Sequence, residues 1–203
     1  MNGTGIVSVS GKQSHRPRRP ALLVMDMQRD FLEPGGRMPV AANQVAALIE
    51  AVNHSIWAAS QSDIIVYYIL NEFPKRSWLN IFRRYAAVRG SRGAQLDPRV
   101  ERRNGQTLTK SSSSAFSNPE LGATLYEEGV RTVALCGVFA EACVSATARS
   151  TQDRALQLVI ISDAIAARSD AALARSLRRF ERMGATMTTS KQWAADVAER
   201  IVP

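Results

Sequence analysis

Three side chains that can do chemistry follow apolar strands of this 203-residue sequence. Asp26 directly follows the apolar run at residues 21–25, Lys110 follows a weaker strand, and Cys143 comes shortly after another strand, where a helix begins. In an open parallel α/β sheet the functional crevice lies beyond the carboxyl ends of the strands. We therefore expect a carboxylate, an amine and a thiol to meet at one edge of a sheet.

The position of Cys143 predicts a nucleophile. A thiol at a helix N-terminus faces unpaired backbone N–H groups and the positive end of the helix dipole, which lowers its pKa and favours the reactive thiolate. Cys136 lies within an apolar strand and is expected to be a small buried hydrophobic residue. The residue types alone also allow structural roles for these side chains. Cys143 could be a small buried residue like Cys136, Asp26 could form a turn or cap a helix, and Lys110 could be a solvated surface amine.

The elements that would position these side chains alternate along the chain. Residues 21–25 and 64–70 are typical of strands buried on both faces, Asn118 before Pro119 marks a helix start, and Ser169 caps a later helix. Strands separated by single helices predict right-handed crossovers. The expected fold is α/β, with three α/β/α layers and a doubly wound, mostly parallel sheet of about six strands.

The net charge of +8 is concentrated in two segments. Residues 1–20 carry +4 and residues 71–105 carry +6, so the rest of the chain is slightly acidic. A protein that binds nucleic acid or another acidic partner is one alternative, but the chain contains no DNA- or RNA-binding motif. We therefore expect no nucleic-acid partner.

The composition indicates one domain with a tail. Residues 1–19 lack periodic apolar residues and are predicted to be a disordered basic tail, and residues 20–203 are predicted to form the domain. The loop at residues 71–105, called the basic segment below, is long for a compact domain. It is expected to be a lid or a substrate-selecting insertion. Its arginines are expected to have one of two roles. They either pair with a substrate carboxylate or form a solvated face, which could lie at a subunit contact.

Membrane and disulfide-stapled classes are excluded by composition. No run approaches the roughly 18 apolar residues that a membrane span needs, so no membrane partner is expected. Two cysteines are too few for a disulfide framework. A reducing, cytoplasmic setting is the expectation.

Four stretches of the chain, in the same order, resemble motifs of the isochorismatase-like cysteine hydrolases. This superfamily includes nicotinamidases, N-carbamoylsarcosine amidases, ureidoacrylate amidohydrolases and isochorismatases. The stretches are the first-strand motif at residues 22–31, the lysine motif of Lys110 with residues 114–116, the nucleophile motif at 137–144 with 147–148, and the following strand end at 163–164.

The resemblance implies the roles of several residues. It assigns Asp26, Lys110 and Cys143 as a catalytic triad. It places a non-proline cis peptide at Val138–Phe139. We expect this peptide to lie next to an oxyanion site formed by backbone N–H groups of the turn predicted at residues 137–142 and of Cys143. It also implies a homo-oligomer, either a homodimer or a homotetramer.

Two departures from the family pattern narrow the expected function. Nicotinamidases of this superfamily carry a metal site of an aspartate and histidines, whereas this chain has only His15 in the tail and His54 in a helix. Asp30 alone cannot hold a transition metal, so we expect no metal and no cofactor. Isochorismatases resemble the pattern but lack the cysteine. Cys143 therefore favours the metal-free amidohydrolase branch, similar to N-carbamoylsarcosine amidase and ureidoacrylate amidohydrolase.

The predicted activity is cysteine-dependent hydrolysis of a small amide, carbamoyl or ureido substrate through a thioester. The substrate pocket is expected to include Phe31, Glu72, Trp78, Phe116 and Phe139. Two alternatives stay open. One is an isochorismatase-type vinyl-ether hydrolase, and the other is a catalytically silent interaction protein of the same fold.

Overall fold

The computed structural model describes residues 19–200 and 202. Within these residues six strands form one sheet in which every neighbouring pair is parallel. The strands are β1 (Arg19–Met25), β2 (Ile65–Asn71), β3 (Gln106–Lys110), β4 (Val130–Val138), β5 (Gln157–Ala166) and β6 (Thr186–Thr188). Their order across the sheet is β3-β2-β1-β4-β5-β6, which confirms the predicted parallel α/β sheet.

Helices connect and cover the strands. They are α1 (Arg29–Leu32), α2 (Ala42–Ser60), α3 (Pro119–Glu127), α4 (Ser145–Gln152), α5 (Asp170–Arg182) and α6 (Ser190–Ala198). The predicted caps are present, since Asn118 accepts from the Glu120 N–H and Ser169 from the Ala172 N–H. No helix in this described part of the chain is both long and apolar enough to span a membrane.

Alternating residues of the strands separate two hydrophobic cores. Leu22 and Val24 of β1 face a core that contains residues of α1, α2 and α6, whereas Leu23 and Met25 face a core with residues of α3, α4 and α5. Because side chains alternate between the faces of a strand, a continuous apolar run requires cover on both sides. The three-layer α/β/α arrangement follows.

The strand order creates a switch point between β1 and β4. From β1 the chain continues outward to β2 and β3 on one side of the sheet, and from β4 it continues to β5 and β6 on the other side. Gly137 lies there with φ +104°, and a Cβ at this position would overlap the Met25 carbonyl oxygen. Only glycine permits such a close approach of two central strands. The carboxyl ends of β1 and β4 therefore meet at the edge where ligands bind in open α/β sheets.

Several predicted boundaries are wrong. The turn expected at residues 137–142 begins as strand, because β4 continues to Val138 and β5 continues alongside it to Ala166. Asp163 lies within β5 rather than at its end, and its carboxylate accepts the N–H and hydroxyl of Ser190 at the start of α6. The predicted tail lies outside the described residues, except that Arg19 begins β1.

Two side chains next to β1 hold the basic segment against the carboxyl edge of the sheet. Gln28 Nε2 donates to the Ala94 carbonyl at 2.7 Å, and Asp30 Oδ2 accepts the Ala87 N–H at 2.8 Å. The Asp30 carboxylate also packs so closely on Gly93 that a Cβ there would overlap it. The basic segment is thus attached to the loop that directly follows Asp26.

Candidate active site

The structure brings Asp26, Lys110 and Cys143 together in one buried cluster. Lys110 Nζ lies 2.9 Å from Asp26 Oδ2 and 3.5 Å from Cys143 Sγ. Neither the Asp26 nor the Lys110 side chain is exposed, and Cys143 is 8% exposed. The expectation from strand ends, that a carboxylate, an amine and a thiol meet at one edge, is confirmed.

The backbone at the end of β1 aims Asp26 into this cluster. Asp26 has φ 52°, and its N–H donates to the Ile69 carbonyl at 2.8 Å. Aspartate tolerates this left-handed conformation better than most residues, and strained backbone is concentrated at functional sites. The chain leaves the strand abruptly at the residue that carries the carboxylate.

Asn71 also belongs to the site, and the sequence analysis missed it. It is the last residue of β2, which lies between β1 and β3, and its partner in the β3 register is Lys110. Asn71 Nδ2 lies 2.8 Å from Asp26 Oδ2 and 3.6 Å from Cys143 Sγ. The strand-end rule could have found it, because it directly follows the apolar run of the second strand.

Gln28 fixes the main chain of Asn71. Its Oε1 accepts the Asn71 N–H, and its Nε2 donates to the Asn71 carbonyl, both at 2.8 Å. Gln28 is fully buried. A buried amide with both ends satisfied holds its partner rigidly.

Burial dominates the electrostatics of the site. It raises the pKa of Asp26, and the Lys110 charge opposes this increase. Burial and the negative charge of Asp26 raise the pKa of the Cys143 thiol to about 12. The predicted lowering of the thiol pKa is therefore wrong. At neutral pH the resting site contains a protonated thiol beside the Asp26–Lys110 pair.

The local structure around Cys143 also differs from the prediction. Cys143 is the fourth residue of a π-helical turn, Ala140–Val144, and α4 begins after that turn at Ser145. The thiol is therefore not at the helix N-terminus that the sequence pattern predicted. Cys136 is fully buried in β4, where burial also raises its pKa, as its apolar surroundings predict.

The turn before Cys143 has the backbone that the resemblance implies. The Val138–Phe139 peptide is cis. The Phe139 carbonyl accepts the N–H groups of Ala142 at 3.0 Å and Val144 at 3.1 Å. These two N–H groups are therefore already engaged within the turn.

Two of the five predicted pocket residues are in direct contact with each other. Phe31 and Phe139 are both buried and pack edge to face, with ring centroids 5.3 Å apart. Glu72 pairs with Arg89, Phe116 lies under Arg154, and Trp78 is 71% exposed. The structure joins Phe31 and Phe139 at the catalytic edge, whereas Trp78 lies outside the buried cluster.

The described residues do not fit the metal site of the nicotinamidases. They contain no group of three or more His, Cys, Asp or Glu side chains able to hold an ion. The Asp30 carboxylate is engaged by the Ala87 N–H, and His54 stacks on Trp57 in α2. His15 lies outside the described residues.

Comparison with known families decides the relationship. Residues 20–192 match the Isochorismatase domain family. The chain belongs to this family. The match includes the ends of β1, β3 and β4, and thus Asp26, Lys110 and Cys143. The family assignment and the six-stranded parallel sheet agree.

Relatives of this isochorismatase-family protein include enzymes that act on amides. The crystal structure of N-carbamoylsarcosine amidase from Thermoplasma acidophilum superimposes with a TM-score of 0.75 at 26% identity, covering 85% of this chain and 96% of that one. A ureidoacrylate amidohydrolase from Azorhizobium caulinodans is 25% identical over 64% of this chain and 68% of its own length. A probable inactive nicotinamidase from Arabidopsis thaliana is 25% identical over 91% of this chain and all of its own.

Proposed function

We propose that this protein is a cysteine-dependent hydrolase of a small amide, carbamoyl or ureido compound. The observation that carries the proposal is the position of Lys110 Nζ, within 3.5 Å of both the Asp26 carboxylate and the Cys143 sulfur. An acid–base group, a positive charge and a nucleophile in mutual contact are the parts that acyl transfer by a thiol needs.

The reaction begins with proton transfer from the Cys143 thiol to Asp26. The raised pKa of the buried Asp26 carboxyl makes it a stronger base than an exposed aspartate. The sulfur attacks the substrate carbonyl carbon, an S–C bond forms, and the carbonyl π electrons move to oxygen. Lys110 stabilises the negative charge that stays near the sulfur and the carboxyl group.

Attack of the sulfur gives a tetrahedral intermediate, and the negatively charged oxygen of this intermediate requires N–H donors. The Ala142 and Val144 N–H groups are engaged by the Phe139 carbonyl. We assign the Cys143 N–H as the principal donor. A donor of this kind contributes about 3–4 kcal/mol to the stabilisation of a tetrahedral intermediate.

Collapse of the intermediate breaks the C–N bond. Asp26 returns its proton to the leaving nitrogen, and ammonia or an amine departs from the thioester. Asp26 then deprotonates a water molecule that attacks the thioester carbon. The C–S bond then breaks, the acid product leaves, and the Cys143 sulfur takes the proton that Asp26 removed from water.

Unpartnered acceptors in the site favour an amide over a vinyl ether. Asp26 Oδ1 and Asn71 Oδ1 are buried and have no hydrogen-bond partner within the described part of the chain. Buried acceptors without partners are rare and need a donor. An amide or carbamoyl nitrogen supplies N–H groups, whereas the ether oxygen of an isochorismatase substrate supplies none.

Activity on a panel of small amides tests the proposal. The panel contains carboxamides, N-carbamoyl amino acids and ureido acids, and ammonia release is measured for the wild type and Cys143→Ala. Release that requires Cys143, together with hydroxamate formation when hydroxylamine is added, supports a thioester route. Turnover of vinyl ethers alone, or of no compound, would contradict it and favour one of the two alternatives.

We propose that the basic segment helps to form a homodimer or homotetramer. Five of its residues expose large apolar side chains and are called the aromatic patch: Trp78, Leu79, Ile81, Phe82 and Tyr85. Trp78 and Phe82 pack edge to face, with ring centroids 5.8 Å apart, and clustered exposed apolar side chains are typical of protein interfaces. The aromatic patch is the surface most suited to a second copy of the chain.

A further inference from the structure

Asn71 contacts the same two groups as Lys110. Its Nδ2 lies 2.8 Å from Asp26 Oδ2 and 3.6 Å from Cys143 Sγ, and Lys110 Nζ lies 2.9 Å and 3.5 Å from the same atoms. One amide nitrogen carries two hydrogens, so both contacts can be donated at once. A neutral donor and a charged donor thus bridge the acid and the thiol in parallel.

The orientation of the Asn71 amide is determined by its surroundings. An ionised carboxylate only accepts hydrogen bonds, so the amide end next to Asp26 must be the nitrogen. Gln28 holds the Asn71 main chain on both sides, and the Asn71 side chain is buried. The two N–H groups therefore point at the acid and the sulfur before any substrate arrives.

This arrangement has a chemical consequence for the thiol. Burial is the largest influence on the pKa of Cys143 and raises it, and the amide of Asn71 opposes that increase. Proton transfer from the thiol to Asp26 leaves a buried thiolate, whose negative charge Lys110 offsets with a single positive charge. A second donor reduces the energy needed to form the thiolate without adding another ion that must be desolvated.

We infer that Asn71 is a fourth catalytic residue, which stabilises the Cys143 thiolate and holds Asp26 beside it. Gln28 is its positioning residue. This catalytic role rests on the proposed function. The geometry also predicts how fast the Cys143 thiol is alkylated, and that rate can be measured without a substrate.

Two substitutions distinguish a donor from a space-filling residue. Asn71→Leu keeps the volume but removes the N–H groups without adding a charge, whereas Asn71→Ala removes the volume as well. A donor role predicts slower alkylation of Cys143 in both variants, by about tenfold for each pH unit by which the thiol pKa rises. A space-filling role predicts that Asn71→Leu resembles the wild type.

The measurement is the iodoacetamide labelling rate of Cys143 between pH 7 and 10, followed by peptide mass spectrometry. Asn53→Ala is the matched control, because the Asn53 amide in α2 likewise bridges two groups, the Arg99 carbonyl and the Glu101 N–H. Its labelling profile should equal that of the wild type. Thermal unfolding identifies variants that do not fold. If Asn71→Leu does not fold, Asn71→Ser replaces it, because its hydroxyl is too short to bridge both groups.

The outcomes separate this inference from the proposed function. Slower labelling of both Asn71→Ala and Asn71→Leu than of the wild type supports it, even if the wild type hydrolyses no amide. Labelling of Asn71→Leu or Asn71→Ser at the wild-type rate overturns it, even if the wild type is an active amidase. Where a substrate is found, kcat should fall in the same variants with little change in KM.

Discussion

Asp26 and Lys110 form an ion pair, Oδ2 to Nζ 2.9 Å, in which neither side chain is exposed to solvent. They come from β1 and from the edge strand β3, and the end of β2 lies between them. Two buried charges persist only when they compensate each other, because each alone carries a large desolvation penalty. This pair therefore links the stability of the fold to the chemistry of the site.

Removing the lysine should strengthen the pH dependence of stability, because the Lys110 charge opposes the increase in the pKa of Asp26. Lys110→Met leaves the Asp26 carboxylate buried without its counter-charge, with an expected loss of about 3–5 kcal/mol at pH 7.5. A carboxyl whose folded pKa lies above its unfolded value of 3.8 binds its proton more tightly when folded. The variant should thus be most stable in acid and lose stability as the pH rises above that value.

Urea unfolding at pH 4 and pH 7.5 measures this difference. The double variant Asp26→Asn with Lys110→Met is the control, because it removes both charges and should recover most of the stability at pH 7.5. A loss of equal size at both pH values would show that the ion pair does not cause the effect.

The two thiols should differ in reactivity and in function. Cys143→Ala should abolish amide hydrolysis, whereas Cys136→Ala, deep in β4, should leave the chemical step largely intact. Because the thiol pKa of Cys143 is raised to about 12, its labelling by iodoacetamide should be slow at pH 7 and accelerate about tenfold per pH unit. Preferential labelling of Cys136 in peptide maps would contradict the nucleophile assignment.

Hydrolysis should survive chelation. The described residues hold no metal-binding group of His, Cys, Asp and Glu, and the proposed steps use only Asp26, Lys110, Asn71 and Cys143. The expected result is unchanged ammonia release after dialysis against EDTA. Activity that disappears and returns with added zinc or manganese would require a different mechanism.

The contact between Asp30 and Gly93 should matter for the basic segment. In Gly93→Ala the new methyl group would overlap the Asp30 carboxylate, so the segment must shift, with an expected loss of about 1–3 kcal/mol. Gly122→Ala in α3 is the matched control, because a Cβ there meets no atom within 4 Å. It should stabilise the helix by about 0.5–1 kcal/mol.

Chemical denaturation of both glycine variants gives the two free energies of unfolding. Limited proteolysis should show faster cleavage within the basic segment of Gly93→Ala alone. Equal behaviour of the two variants would mean that the Asp30 contact does not hold the segment.

The aromatic patch should control assembly. Phe82→Glu places a charge on a side chain that is 76% exposed, and multi-angle light scattering should show a smaller particle than the wild type. Tyr126→Glu, in α3 and 87% exposed, is the control outside the patch and should leave the mass unchanged. A wild-type protein that is a monomer at micromolar concentration would remove this part of the proposal.

Much of the fold followed from local patterns in the sequence. The apolar run of β1, the Asn118–Pro119 helix start and the Ser169 cap are short-range signals, and they placed these elements correctly. Strand ends meet at one edge of any parallel sheet, so the sequence predicts that Asp26 and Lys110 lie together although 84 residues separate them. These properties depend on the order of residue types along the chain.

Other properties of the site were decided only by tertiary structure. The sequence pattern places Asn71 in a loop, but packing of β2 between β1 and β3 puts its amide on the acid and the thiol. The pattern also predicts a thiol of lowered pKa, whereas burial of Cys143 within a π-helical turn raises it. The order of elements along the chain brings a side chain to the site. Its pKa, however, depends on how far solvent is excluded, and solvent is excluded only when segments that are distant in sequence pack together.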